Sequence, residues 1–343
     1  MGVQISEIIP KREIELSFLN GKIIAVDAFN TIYQFLTTIR QPDGTPLMDS
    51  NGKITSHLSG IFYRNISLLV EGIKPIYVFD GKPKKLKEEE LKERNERREL
   101  AKEKYEEAKE IGDIESMRKF SQQSVKINEE IILESKELLD AMGINFVDSF
   151  DEGEAEAAFL VRNNFAWAVA SQDYDCLLYG ATRLVRNLTL SRTRRTSSGN
   201  VVENKIELIE LQKVLDFLQI DRDQLICIGI IVGTDFNPGG IRGLGQKKAL
   251  ELVKKIKYPV KIFEFLSKSE KYKFDFNWQE IFKEFKEYKG NTQASFIEKK
   301  PNFEKIKEIL LKRDFSEERI DNALQKLKEF QEKKKQVSLG DFF

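Results

Sequence analysis

Three short apolar runs along the chain end in acids. Ile23-Ile24-Ala25-Val26 is followed by Asp27, Ile76-Tyr77-Val78-Phe79 by Asp80, and Trp167-Ala168-Val169-Ala170 by Ser171-Gln172-Asp173-Tyr174-Asp175. Each run is apolar at successive rather than alternate positions, and the stretches between them read as helical. Near-continuous apolar strands separated by helices predict a mostly parallel α/β sheet buried on both faces. In such a sheet the carboxyl ends of the strands share one edge, where ligands bind. Asp27, Asp80, Asp173 and Asp175 are therefore expected to meet in space.

The pattern also places the remaining elements. From Asp27 the chain turns into a helix with Tyr33 about two turns on, either a core residue or a face for a stacked base. Residues 41–53, rich in Pro, Gly, Asp and Asn, read as a loop. A helix is predicted through residue 110 and a second over roughly 115–142, leading to a strand at 143–147. Residues 82 to about 130 thus form an insertion that leaves and re-enters the sheet. At Asp148-Ser149-Phe150-Asp151-Glu152-Gly153-Glu154-Ala155-Glu156, Ser149 or Asp151 would cap a helix with an acidic first turn. Glu152, Glu154 and Glu156 are more acids than a cap needs. Residues 188–205 read as an exposed hairpin with a basic tip, either a nucleic-acid contact or a solvated loop. The apolar run from Leu225 to Val232 fits strand or helix, and Asp235 follows it.

Composition narrows the class. The chain has 343 residues, 41% hydrophobic and 33% charged, with a formal net charge of zero, so any basic surface is local. Two cysteines argue against a disulfide framework. No apolar stretch is long enough to span a membrane, and the expected N-terminal segment lacks a signal-peptide core. An intracellular, enzyme-sized protein is expected. His57 is the single histidine, which excludes a His-based metal site and reads as structural. Clustered carboxylates need protons or cations, and oxygen-only ligands point to magnesium or manganese rather than zinc.

Positive charge gathers beside the acids. Between residues 82 and 110 there are 11 Lys or Arg and 10 Glu. Mixed charges of this kind describe any solvated helix. Their position is less ordinary, because Lys82, Lys84, Lys85 and Lys87 directly follow Asp80. Lys87, Arg94 and Arg98 share one helical face, suited to a phosphodiester held between metals and guanidinium groups. Further on, Arg242-Gly243-Leu244-Gly245-Gln246-Lys247-Lys248 resembles a helix-hairpin-helix turn, whose backbone amides could approach a phosphate.

Taken jointly, Val26-Asp27-Ala28, Tyr77-Val78-Phe79-Asp80-Gly81-Lys82-Pro83, Glu152-Gly153-Glu154-Ala155, Gln172-Asp173-Tyr174-Asp175-Cys176-Leu177, Gly233-Thr234-Asp235 and Gly240-Ile241-Arg242-Gly243-Leu244-Gly245 resemble the flap endonucleases, structure-specific 5′ nucleases of the XPG-like family. The ending at Phe343, without a long basic tail, resembles an archaeal-type form. The resemblance implies a PIN-like nuclease core, a helical arch at about 82–130 through which a single-stranded flap passes, and a helix-hairpin-helix element at about 225–256. It implies two Mg²⁺ ions, replaceable by Mn²⁺, with Asp27, Asp80, Glu152 and Glu154 at the first and Asp173, Asp175 and Asp235 at the second. Lys87 and Arg94 match the family's catalytic cations and Tyr33 its stacking tyrosine; Arg98, Arg242, Gly243, Gly245, Lys247 and Lys248 fall to DNA binding, with K⁺ at the Gly-rich turn. Residues 315–319 resemble a segment near the 3′-flap pocket, while 258–302 match poorly. A related junction resolvase or ribonuclease, or a non-catalytic DNA-binding clamp partner, remains an alternative.

The domain expected is one nuclease unit over 1–335, acting as a monomer on branched DNA with a 5′ flap, cytoplasmic and nucleoid-associated in an archaeon or nuclear in a eukaryote. Residues 336–343 carry Gln336, Leu339, Phe342 and Phe343 in the spacing with which replication proteins bind a sliding clamp. In a three-residue-per-turn helix, Leu339 and Phe342 would lie on one side with Phe343 beside them. The tail is expected to be mobile in the free protein.

Overall fold

The computed structural model describes residues 2–41, 43–82, 84–191, 193–195, 201–290 and 296–340, without the side chains of 85, 194, 195, 201 and 334–340. The strands in chain order are β1 (Arg12–Ile14), β2 (Ile23–Asp27), β3 (Lys74–Phe79), β4 (Asn145–Asp148), β5 (Ala168–Ala170), β6 (Arg183–Arg186), β7 (Thr193–Arg195), β8 (Val201–Glu203) and β9 (Ile206–Glu210). Among the described residues, seven of them form one sheet in the order β1-β9-β6-β5-β2-β3-β4. From β6 to β4 the neighbours run parallel; β9 and β1 close one edge with antiparallel pairs. The mostly parallel sheet is thus as predicted. The chain winds from β2 outward through β3 and β4, then returns to β5 on the other side of β2. That reversal puts the ends of β2, β3 and β5 side by side, where Val26 faces both Tyr77 and Ala170.

The continuous apolar character of these strands follows from burial on both faces. Ile24, Val26, Tyr77, Phe79, Ala168 and Ala170 point into one core layer, with helices α1 (Ala28–Thr38), α2 (Ser56–Val70) and later α5 (Glu129–Ala141), α13 (Phe303–Leu311) and α14 (Glu317–Gly340). Ala25, Ile76, Val78 and Val169 point into the other, which holds α6 (Gly153–Arg162), α7 (Asp175–Leu178), α9 (Arg222–Val232) and their neighbours. His57 lies fully buried in α2 with Nε2 3.1 Å from Glu134, in keeping with a structural role.

The insertion departs from two long helices. After α3 (Glu88–Glu110), the expected 115–142 helix is divided into α4 (Ile114–Gln123) and α5 (Glu129–Ala141). Asp113 caps α4 and Asn128 caps α5, each accepting backbone N–H bonds; Val125 and Ile127, poor helix formers, lie in the break. α4 packs along α3, and Arg40 at the exit of α1 donates to the Ser121 carbonyl at 3.1 Å, anchoring the far end.

Then follow α6 (Gly153–Arg162), α7 (Asp175–Leu178), α8 (Leu211–Leu218), α9 (Arg222–Val232), α10 (Gln246–Ile256), α11 (Pro259–Ser267), α12 (Trp278–Glu287), α13 (Phe303–Leu311) and α14 (Glu317–Gly340). The run from Leu225 is resolved as helix α9. A reciprocal cap between Asp221 and Gln224 starts it, and its residues from Gln224 to Ile231 are buried all round, so no polar face marks it in the sequence. β7 and β8 pair as the expected hairpin; its tip at 196–200 lies outside the described residues. The backbone of α14 runs unbroken past 336 to Gly340, while Phe342 and Phe343 lie outside the described residues.

Candidate active site

Each acid at the strand ends is held by backbone or neighbouring polar groups. Asp27 ends β2 and caps α1, accepting the Asn30 N–H at 2.9 Å. Asp80 follows β3 and caps a different element: its Oδ1 accepts the N–H of Gly153, the first residue of α6, at 2.7 Å. This corrects the expected cap. Glu152 occupies the capping position of α6 without a side-chain bond, and Ser149 instead closes a local turn by donating to the Glu152 carbonyl at 3.0 Å. The glycine between Glu152 and Glu154 is thereby explained, since a Cβ at Gly153 would lie 2.5 Å from Asp80 Oδ1.

Asp173 accepts from the Gly2 N–H at 3.1 Å and from Asn30 Nδ2 at 2.9 Å. Asp175 accepts from the Val3 N–H at 2.9 Å. Ser171 donates toward both Asp27 at 3.2 Å and Glu154 at 3.1 Å. Asn30, Ser171 and the Gly2-Val3 backbone are site groups that sequence reasoning missed. Only Ser171 left a local signal: Ser-x-Asp lets its hydroxyl accept the Asp173 N–H, at 3.2 Å here.

The acids act on one another. Asp27 is pushed up to about 8 by burial first, then by Asp80 and Asp173, against the bonds from Asn30 and Ser171. Asp175 is pushed up to about 7 by burial, then by Asp235 and Asp173. Burial, then Asp175, Asp173 and Asp27, hold Glu154 well above the ordinary range. Asp80, exposed at the strand end yet crowded by its neighbours, is raised by partial desolvation while Gly153, Lys87 and Arg94 oppose, and Glu152 is raised by burial although Lys87 opposes it. All seven predicted acids therefore share one electrostatic field. Among the described residues, no three His, Cys, Asp or Glu side chains stand close enough to hold a metal ion as they are placed. The donor set suits a hard divalent cation by its chemistry, as an open array rather than a closed cage.

Positive charge enters from the insertion. Lys87 Nζ stands 2.5 Å from Glu152 and 3.3 Å from Asp235. Burial alone would lower its pKa, but Glu152 and Asp235 outweigh burial and raise it. Arg94 pairs with Glu90 at 2.6 Å and reaches Asp235 at 3.8 Å. Arg98 lies next along this face, in the field of Arg94 and Tyr33, and Tyr33 is 36% exposed rather than packed in the core.

Asp235 is positioned by the turn after α9. Thr234 donates to Asn237 at 2.7 Å, and Asn237 to the Ile230 carbonyl at 2.7 Å. At Gly240, with φ +56, a Cβ would lie 2.4 Å from the Ile231 carbonyl oxygen, so the Gly-rich turn can close against α9. Arg242, Gly243, Gly245, Lys247 and Lys248 are exposed on that turn and the start of α10. Lys247 pairs with Glu7 at 3.0 Å.

The XPG N-terminal domain matches residues 1–101 and the XPG I-region residues 143–235. Flap endonuclease 1 of Pyrococcus furiosus is 50% identical over 345 residues, covering 100% of this chain and 99% of that protein. Its counterpart in Staphylothermus marinus is 48% identical over 352 residues, 100% of each. The solved flap endonuclease-1 from Methanococcus jannaschii superposes with a TM-score of 0.76 at 41% identity, covering 97% of this chain and 100% of that one. The catalytic core of Rad2 shares the fold, with a TM-score of 0.70 at 22% identity over 94% of this chain and 97% of that one. With about half its positions shared along the whole length of such relatives, the chain belongs to the flap endonuclease family: it is a hydrolase with 5′ flap endonuclease and 5′–3′ exonuclease activity in DNA metabolism, and this membership implies a magnesium-dependent mechanism.

Proposed function

We propose that the acid edge is a two-cation site, with Asp27, Asp80, Glu152 and Glu154 holding one ion and Asp173, Asp175 and Asp235 the other. The observation that carries this reading is the shared field: Asp27, Glu154 and Asp175, from three separate segments, are held above the ordinary carboxylate range by burial and by neighbouring acids that include Asp80, Asp173 and Asp235, and protons or cations must neutralise them. Two divalent ions held there would supply the charge that activates a water and steadies the leaving oxygen. Mn²⁺ would satisfy the same oxygen donors.

The chain's own residues do the rest. Lys87 rests between Glu152 and Asp235 and would turn to the scissile phosphate when that phosphate enters. Arg94 would follow from its bond with Glu90, aimed at charge that develops on the phosphate oxygens. Tyr33, half open beside Arg98, would carry a stacked base. Arg98, Arg242, Gly243, Gly245, Lys247 and Lys248 would contact phosphates, with K⁺ at the Gly-rich turn. Such contacts position without reading sequence, so a branched DNA with a 5′ flap is selected by shape as its single strand passes the α3–α4 arch. The setting proposed is Okazaki fragment maturation and repair, carried out by a monomer in the nucleoid-containing cytoplasm.

A double-flap DNA labelled at the 5′ end tests the reading. Incision near the flap base, dependent on Mg²⁺ and leaving 5′-phosphate products, is expected; equal cleavage of four-way junctions and single-stranded RNA would replace it with a less selective nuclease. Gln336, Leu339, Phe342 and Phe343 are proposed to seat on a sliding clamp of the proliferating cell nuclear antigen type. Burial of such side chains is worth roughly 1.5–3 kcal/mol each before ordering costs. Deleting 336–343 is expected to remove clamp binding in a pull-down and to spare clamp-free cleavage.

A further inference from the structure

Lys84 lies three residues before Lys87, and its ammonium group is held on several sides. Asp151 Oδ2 stands 2.6 Å away, Glu284 of α12 forms a second ion pair, and the Tyr288 ring centroid lies 5.7 Å from Nζ. The side chains of Lys84, Asp151 and Glu284 are 25%, 20% and 15% exposed, so this is a partly buried cluster rather than a fully solvated surface pair. Burial would lower the Lys84 pKa, but the bonds from Asp151 and Glu284 prevail and raise it.

The cluster grips the segment that presents Lys87. The Lys84 carbonyl accepts the Lys87 N–H at 2.9 Å and closes the single helical turn Lys85–Lys87. Just upstream, the Gly81 N–H donates to the Asp151 carbonyl at 2.8 Å, so the same loop holds backbone and side chain. On the other side α12 is anchored in the core. Phe285, next to Glu284, is buried and meets Phe236 with ring centroids 5.5 Å apart. Phe236 follows Asp235 and lies 5.5 Å from Lys87 Nζ. One helix thus braces both the turn behind Lys87 and the aromatic ring beside its ammonium group.

We infer that Lys84, with Asp151 and Glu284 as its carboxylate partners, is a positioning latch that fixes the turn aiming Lys87 across the acid cluster. It gives a use to α12, which lies within residues 258–302, where the family's motifs match poorly. The inference rests on the proposed role of Lys87, and the experiment separates the two.

Lys84→Met keeps side-chain length and removes the charge. Under single-turnover conditions with saturating flap DNA and Mg²⁺, cleavage should slow about tenfold or more, since misplacing a reacting group by ~1 Å can cost ~10²-fold. The Kd for flap DNA without divalent ions should stay at the wild-type value, and the melting temperature, lowered because Asp151 and Glu284 lose their cation, should still lie well above the assay temperature. Lys84→Arg should recover most of the rate. Glu284→Gln, which leaves the turn untouched, should show a smaller loss and carries the same test if Lys84→Met does not fold. In a Lys87→Ala background, Lys84→Met should have no further effect. Full-rate cleavage by Lys84→Met and Glu284→Gln overturns the latch, as does a loss that adds in full to that of Lys87→Ala or one that Lys84→Arg fails to recover. A Lys87→Ala protein cleaving at wild-type rate removes the role of Lys87 and the latch with it.

Discussion

Along α3, Glu93 and Arg97 pair at 3.3 Å with about half of each side chain in water, whereas at the strand ends Asp175 is buried within the field of Asp173 and Asp235. Both regions are dense in charge. On α3 the charges alternate in sign at helical spacing, and among its side chains Glu90, Ala101 and Ala108 are the buried ones. Water and opposite neighbours satisfy the rest. At the sheet edge the backbone brings like charges together and takes Asp27, Glu152 and Asp175 out of water, with Lys87 paired to Glu152 and Asp235. Charge that balances itself is a solvated surface, while charge that the fold compresses needs something from outside. Glu90 and Arg94 belong to both regions, which makes that turn of α3 the seam between them.

The comparison can be broken most directly at the acids. Asp173→Ala should lower the cleavage rate by at least about a thousandfold while flap binding stays within about twofold, as expected if the acids do the chemistry and the proposed phosphate contacts do the docking. Single-turnover rates beside Kd values check this, and near-wild-type cleavage would end the reading. Arg94→Ala should slow single-turnover cleavage about a hundredfold with little change in binding, and Arg98→Ala less. A change confined to affinity would make α3 a docking surface.

The metal-free protein gives a sharper measure. Asp27 and Asp175 sit at about 8 and about 7 when folded, against an ordinary value of 3.8. Between about pH 4 and 8 the native state therefore holds more protons than the unfolded chain, and stability falls as pH rises. Melting temperatures in chelator should decline from pH 5 to 8, and Mg²⁺ should flatten the decline. A flat profile in chelator would mean that the acids do not share a field. The smallest effect belongs to Arg97→Ala, expected to cost less than about 0.5 kcal/mol and to leave cleavage unchanged.

The sheet and its acids were legible because burial on both faces leaves uninterrupted apolar runs, and the polarity change at each end marks where a strand emerges. Two-sided burial hid α9: an apolar run with no polar stripe has no period to read. The break between α4 and α5 turns on Asn128 acting as a cap, a choice that helical spacing does not reveal. The cap on α6 was misplaced because its donor is paired with Asp80, far away in sequence, while Ser149 and Asp151 offered a local answer that looked sufficient. Glu284 and Tyr288 could not be tied to the site at all, since nothing near them in sequence says that α12 lies beside the turn before Lys87.

The bond from Gly153 to Asp80 joins residues 73 apart and encloses the whole of α3, α4 and α5. Closing a flexible loop costs free energy that grows only with the logarithm of its length, about 0.6 kcal/mol for each doubling. Folding therefore exerts little pressure on how long the excursion between these two residues is. Once the base of the loop is clasped, turns of helix can be added or removed at the far end without unsettling the sheet. The span of the opening is a dimension that evolution can tune almost independently of stability.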